Sequence, residues 1–485
     1  MASERGSRRR LLDDLFGVDL RALAAFRVAL GLLVLFDLVT RSFFLADFYT
    51  DAGILAREFA PFSPATSPTS LHTLGGSLAW VGLLHAVGLV GAACFTVGWN
   101  TSVAKTVTYL TILSLFWRNP GAMNGGDYLV MVQLFWCLFL PVGARWSVDA
   151  LRSGRSGPGR ELSIATAALL LQIALLYLFS TFHKAGGAGW FDGTAAWYAV
   201  SHEVWQRPLG AFLAGLPTVM KLFTWSVLVY EFIGPLLLFS PIWTGPLRVL
   251  TLAGFVALQV GLGFSMQLWL FPWISTLSLL PFLPSSSLDA MEERFGGVAK
   301  RGGEADRPPR AGWRRGLAAV LSALAFGYVF FSHVERTLPE WRPPAALSRA
   351  GRWFGLNQGP AMYSRERRYD VIFGLRGTLA DGATIVVDDG GVTASWPPVA
   401  RLRSFYRGKL YLERQVEWEF RSELAGLADW TCRRWNEGHA PAERLRAVEL
   451  VGVRREIRRD DERPRARRWI LLSRDCAPSA PGAGS

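Results

Sequence analysis

A histidine and a lysine, His183 and Lys184, close an apolar run of about twenty residues, and glycines at 186, 187 and 189 then lead into Trp190, Trp197 and Trp205. An amine held at a half-desolvated mouth has its charged form penalised, so its proton leaves more readily and it can serve as a general base. His183 joins it as a candidate catalytic residue, because an imidazole moves protons near neutral pH. The same position suits a simpler role, in which a long cationic chain snorkels from a helix end to the lipid headgroups. Trp190, Trp197, Tyr198 and Trp205 divide in the same way: they roof a pocket, or they form an interfacial aromatic belt.

Glu231 is the third candidate catalytic group. It sits in YEFIGPLLLF, in a run with nothing charged past Lys221, and a carboxyl at membrane depth is costly unless it is paired or functional. Its candidate partners are Lys184, Arg27 and Gln259. Arg27 and Asp37 lie ten residues apart and share a helix face, each with a partner of its own. Trp190, Trp197, Tyr128 and Gln259 form the candidate substrate-binding set. The sequence holds no G-x-G-x-x-G, P-loop, H-E-x-x-H or G-x-S-x-G, which removes the familiar soluble-enzyme signatures but not an enzyme whose site lies among helices. With no CxxC and no histidine-rich cluster, no metal site is expected.

These residues need a scaffold, and composition names its class. The chain has 485 residues, 51% of them hydrophobic, and 20 tryptophans. That is too apolar for an ordinary soluble protein. Nine stretches approach the roughly 20 apolar residues that a membrane-spanning helix requires: Leu23 to Val39, Leu78 to Gly98, Val103 to Trp117, Tyr128 to Val142, Leu162 to Phe182, Leu222 to Ile242, Leu247 to Met266, Leu268 to Leu283 and Leu317 to Phe331. The expected fold is mostly α, a polytopic bundle of about nine transmembrane helices with a small C-terminal α+β module. The basic head, residues 1–22, leads into Asp37 and Arg41 without a small-residue cleavage site, so the first helix stays as an anchor.

Short-loop arginines set the orientation. The two most basic short loops, Ala144 to Glu161 and Ser285 to Gly316, fall on the side of the basic head when nine crossings are counted. This predicts a cytoplasmic N-terminus, a membrane domain over 23–334, and an exoplasmic domain over 335–476. Arginine outnumbers lysine 47 to 5, a bias that fits a bacterial inner-membrane protein with a periplasmic C-terminal domain. The segment GGVAKRGGEADRPPRAG, the Pro/Ser-rich end of the first outer loop and the tail 477–485 are expected to be unstructured.

The exoplasmic part has strand alternation over Tyr369 to Val392 with Asp381-Gly382 as a hairpin turn. A helix ending at Gly438 follows, and then two strands, AVELVGVRREIR and RWILLSRDC. From Arg336 onward it carries 27 Lys and Arg against 19 Asp and Glu. Such a surface can rest on anionic headgroups or meet an exoplasmic protein partner; nucleic acid is not expected, since no stacking platform or recognition helix stands out. Cys432 and Cys476 both fall here, where an oxidising compartment allows them to pair, whereas Cys94 and Cys137 lie inside apolar helices.

The stretches LAAFRVALGLLVLFDLVTR with FYTDAGI, NGGDYL with RWSVDAL, HKAGGAGWFDGTAAWYA, VYEFIGPLLL and ALQVGLGFSMQLWLFPWI together resemble the HTTM family, whose transmembrane domain is shared with vitamin K-dependent gamma-carboxylase. The resemblance implies that Lys184 matches the lysine regarded as the base that deprotonates vitamin K hydroquinone, and hence a quinone or vitamin K hydroquinone as cofactor. Two positions depart from the pattern: Gly126 stands before Asp127 and Tyr128 where the carboxylase has a histidine, and Gln259 stands where many relatives have one. The sequence thus leaves two functions open, a non-catalytic membrane scaffold or export-associated partner, and a carboxylase-like or quinone-linked enzyme with Lys184 as base.

Overall fold

A computed structural model describes residues 2–59, 70–154, 159–294, 312–338, 340, 344–357, 364, 366–388, 402, 404–458 and 466–476. The segments expected to be unstructured at the end of the first outer loop, within GGVAKRGGEADRPPRAG and at 477–485 lie outside these residues.

The basic head is helical, α1 (Ala2–Phe16). Helix α2 (Leu20–Ser42) starts at Asp19, whose side chain accepts from the Arg21 N–H, satisfying one of the free amides at a helix start. Its residues Leu23, Phe26, Leu30, Val34 and Leu38 recur at helical spacing and are buried, while Leu32, Phe36 and Val39 are exposed. An apolar face turned outward beside an apolar face turned inward is what a helix between protein and lipid requires. The bundle continues through α3 (Leu78–Val97), α4 (Thr101–Arg118), α5 (Gly125–Cys137), α6 (Ile164–Lys184), α7 (Pro217–Leu238), α8 (Thr244–Ser265), α9 (Phe271–Leu277) and α10 (Trp313–Thr337).

Among the described residues, six helices are long and apolar enough to cross a membrane: α2, α3, α6, α7, α8 and α10. The other three of the nine expected stretches fall short of that length and apolarity, each for a physical reason. Helix α4 has 18 residues but carries Lys105 and Arg118 with several threonines and serines. Helix α5 has 13 residues, about 20 Å at 1.5 Å per residue, and almost its whole circumference is buried, so it is a core helix rather than a lipid-facing one. The stretch after Leu268 breaks into a seven-residue helix and a 3-10 turn at Pro281.

The bundle has two polar ends. At one, the Arg248 guanidinium donates to the Leu15 carbonyl at 2.6 Å, Arg160 pairs with Asp13 at 3.2 Å, and Arg21 pairs with Glu292 at 2.8 Å. At the other, the C-terminal module docks. That module is an antiparallel sheet of β1 (Tyr369–Leu379), β2 (Thr384–Asp388), β3 (Leu445–Glu456) and β4 (Ala466–Asp475), with two helices, α11 (Tyr406–Trp418) and α12 (Arg421–Gly438). The strand order is β2-β1-β3-β4. At the hairpin, the Asp381 carboxylate accepts from the Ala383 N–H at 2.8 Å, the local turn chemistry that aspartate favours. Cys432 on α12 is bonded to Cys476 just beyond β4.

Candidate functional site

Tyr177, Ser180 and Lys184 follow one another at spacings of three and four along α6, which brings them to one helix face. Across from them α7 presents Glu231. Lys184 Nζ donates to Glu231 Oε2, and Ser180 Oγ donates to the same oxygen at 3.3 Å. The pair is closed over by Trp190, whose ring lies 4.8 Å from the ammonium, and that geometry adds a cation–π attraction. Lys184 and Glu231 are each only 6% exposed. An ammonium and a carboxylate this far from water offset each other's desolvation cost, and neither is tolerable alone.

The other expected partners of Glu231 are committed elsewhere. Arg27 donates to the carbonyls of Val142 (2.9 Å), Arg145 (3.2 Å) and Trp146 (2.5 Å). Gln259 donates to the Tyr177 hydroxyl at 3.3 Å, about two turns of α6 from Lys184. Trp197 lies in a satellite core with Met220, Met266 and Leu268 and donates to the Ala214 carbonyl at 2.9 Å. Tyr128 packs, partly buried, against the main core. His183 sits beside Lys184 but outside the ion pair, and its Nε2 meets no hydrogen-bond partner among the described residues. Of the expected site, the structure therefore gathers Lys184, Glu231 and Trp190, sets Gln259 next to them through Tyr177, and places Trp197 and Tyr128 in packing roles.

A second cluster was not foreseen as a unit. Arg407, from the start of α11, enters the bundle and is fully buried. Its guanidinium bonds Asp37 at 2.7 Å and both oxygens of Asp127 at 2.6 and 2.7 Å, and donates to the Ala122 carbonyl at 3.0 Å. Arg41 completes the square, reaching Asp37 at 2.7 Å and Asp127 at 3.1 Å. Two cations and two anions then share one dry site with zero net charge. The close approach depends on Gly408, where a Cβ would fall 1.8 Å from the Leu402 carbonyl oxygen. Asp37 and Arg41 announce themselves by their i, i+4 spacing on an apolar helix; Arg407 lies 370 positions from Asp37 and carries no local signal.

Between the docked module and the bundle lies a cavity of about 370 Å³, within the size range of small-molecule sites. Its walls include Asn124, His202, Trp205, Gln267, Glu366, Arg367, Tyr406, Glu413 and Arg414, with Ala195, Ala199, Met266, Leu268 and Leu410 as apolar patches. Lys184 and Glu231 are not among the residues that line it. His202, from the bundle, is held through Nδ1 by Asp370 of β1 at 3.0 Å. Burial pushes the Glu413 carboxyl above its usual range, with the Arg367 guanidinium pulling the other way. Glu366 is pushed up by burial too, but hydrogen bonds from backbone N–H groups, including that of Gly189, and from Arg368 outweigh this and hold it below.

The tryptophans after Lys184 thus have three separate fates. Trp190 caps the ion pair, Trp197 packs, and Trp205 lines the cavity with its ring 5.2 Å from that of Tyr406.

Position 126 bears on the missing imidazole. A Cβ on Gly126 would lie 2.9 Å from the Phe271 backbone nitrogen and 3.0 Å from Asn124 Oδ1, so a histidine does not fit there without displacing backbone.

A family model for the HTTM domain matches residues 17–286. Comparisons with curated proteins and with solved structures give no match.

Proposed function

As a member of the HTTM domain family, the chain is an integral membrane protein, and we propose that it is a non-catalytic scaffold in which the Lys184–Glu231 pair ties α6 to α7. The observation that carries this reading is the engagement of the Lys184 amine. A general base must present a lone pair to its substrate, whereas this nitrogen donates to a carboxylate beneath Trp190, and the cavity at the module is lined by other residues. Vitamin K hydroquinone, implied by the resemblance to the carboxylase, would need that amine free, whereas Glu231 holds it, and Gln259 and the crowded Gly126 stand where imidazoles are expected from the resemblance. The residues present do not fit that use.

The module would face the exoplasm and the basic head the cytoplasm, in a bacterial inner membrane. Support comes from the Cys432–Cys476 bond, which suits an oxidising compartment, and from the contacts that set α1 and the module at opposite ends of the bundle. The module's excess of arginine supports a resting contact with anionic headgroups, each well-placed cation adding about 1 kcal/mol.

The test is to purify the protein in mild detergent, extract it for bound quinone, and follow oxidation of an added quinol before and after Lys184→Ala. The scaffold reading expects no bound quinone and no turnover in either protein. Turnover that disappears in Lys184→Ala would replace it with the enzymatic reading.

A further inference from the structure

We propose that the short helix Ala345–Trp353 turns back into the membrane beside α10, and that its Arg349 and Arg352 bind the phosphate of a phospholipid in the leaflet on the module's side. The proposal rests on the membrane placement of the bundle and holds whether the chain is a scaffold or an enzyme; Lys184 has no part in it.

The sequence delimits the helix at both ends. The Pro344 carbonyl accepts from the Leu347 and Ser348 N–H groups at 2.9 and 3.1 Å, and proline is tolerated at a helix start, where an N–H would have no partner. Gly355, at φ +62°, ends it. The Gly355 N–H reaches the Arg352 carbonyl and the Leu356 N–H the Gly351 carbonyl, both at 2.9 Å, a left-handed cap that glycine adopts without strain.

Contacts with two bundle helices fix the depth. A Cβ on Gly351 would fall 1.8 Å from the Tyr328 ring of α10, and the Tyr328 hydroxyl donates to Asn357 Oδ1. The Tyr109 hydroxyl of α4 donates to the Phe354 carbonyl at 2.7 Å. Tyr328 and Tyr109 each stand nine residues from the C-terminal, module-side end of their helix. At 1.5 Å per residue that is about 14 Å, close to halfway through a hydrocarbon layer of about 30 Å. Gly355 and Leu356 are buried there, as non-helical backbone at such a depth must be.

Arg352 is two residues from Phe354 and Arg349 five, so along a helix they lie within about 3 and 8 Å of that level. Both are exposed, and a spacing of three puts them on one face. Leu110 of α4 and Phe331 of α10 also turn outward, so the medium outside this segment is hydrocarbon. A guanidinium in hydrocarbon is costly, and the cost is relieved by snorkelling or by local thinning that brings headgroups down. Among the described residues neither arginine forms an ion pair. Glu335, Arg336 and Arg352 all act on the Tyr328 hydroxyl, so Arg336 offsets Glu335 and the positive charge stays in excess. A lipid phosphate answers it, presenting several acceptor oxygens to planar guanidinium forks, while Leu347 and Phe354, 43% and 48% exposed, meet its acyl chains.

The experiment titrates the full chain, in an uncharged detergent, with dioleoylphosphatidylglycerol or with phosphate-free dioleoylglycerol, and counts bound lipids by native mass spectrometry. The diglyceride should bind at least about tenfold more weakly. Arg349→Gln with Arg352→Gln should weaken the first phospholipid about tenfold or more, the worth of one charge-assisted hydrogen bond, and a large excess of inorganic phosphate should not displace it. Each single variant should weaken it at least about threefold, and decides if the double variant loses the wild-type melting temperature. Depth is read separately, from Phe354→Cys carrying a nitrobenzoxadiazole label in a Cys94→Ala, Cys137→Ala background, in vesicles of phosphatidylcholine with phosphatidylglycerol. A nitroxide at mid-chain should quench it more than one on the headgroup. Stronger quenching from the headgroup overturns the re-entry. Binding within twofold of wild type in the folded glutamine variants, equal binding of the diglyceride, or displacement by free phosphate overturns the lipid site.

Discussion

Replacing Arg407 by leucine tests how the module is held to the membrane domain. The substitution keeps a comparable apolar volume but deletes bonds to Asp37, Asp127 and the Ala122 carbonyl. What remains is two carboxylates facing the single guanidinium of Arg41, all nearly or fully buried, and therefore one uncompensated negative charge out of water. Removing one member of such a buried pair costs about 3–5 kcal/mol. A cost of that size raises the population of the undocked module by a factor of about 10² to 5 × 10³. Proteolysis under native conditions reads this population directly when reclosing is faster than cleavage. The rate of protease release of the module from detergent-solubilised protein should therefore rise by that factor. Adding Asp37→Asn to Arg407→Leu restores neutrality, leaving Arg41 against Asp127, so the double variant should recover about 1–2 kcal/mol relative to the additive expectation, a coupling of the size that contacting residues show. A release rate within fivefold of wild type for Arg407→Leu would refute the argument, and so would strict additivity in the double variant.

Joint replacement of Cys432 and Cys476 by serine opens a bridge spanning 44 residues and should destabilise the module by about 2–5 kcal/mol, read as a lower melting temperature without loss of membrane insertion. Glu423 is buried beside Gln415, and burial raises its carboxyl above the usual glutamate range. A raised carboxylate contributes stability at low pH that is lost as pH climbs through its folded value; Glu423→Gln should thus flatten the pH dependence of melting above the usual glutamate range and leave the protein at least as stable at neutral pH. Gly126→His should cost about 2 kcal/mol or more through overpacking against Phe271 and should not create quinol oxidation in the assay described above. Cysteine labelling from the two sides of sealed vesicles should find the module outside and α1 inside; the reverse would remove the argument from the disulfide.

The membrane domain was legible because lipid imposes its own grammar: long apolar runs must become helices, whatever else the chain does. Length and apolarity by themselves support six of the nine expected crossings among the described residues. Helix α5 is as apolar as its neighbours, yet it is short because it is surrounded by protein, and a helix buried on all sides looks from its composition like one facing lipid. Glu231 and Lys184 were legible for the complementary reason, since a charge in an apolar run is conspicuous, and physical cost narrows its partner to whichever opposite charge can reach it. Arg407, His202 and Asp370 were not. Each sits in a polar stretch where a charged or polar residue is unremarkable, and only the docking of the module brings Arg407 to Asp37 and Asp370 to His202, across 370 and 168 positions respectively. That asymmetry locates the interesting chemistry of this chain. The lysine that sequence singles out is already satisfied by its glutamate, whereas the junction is built from pairs such as Arg407–Asp37 and His202–Asp370, which neither half of the protein encodes alone.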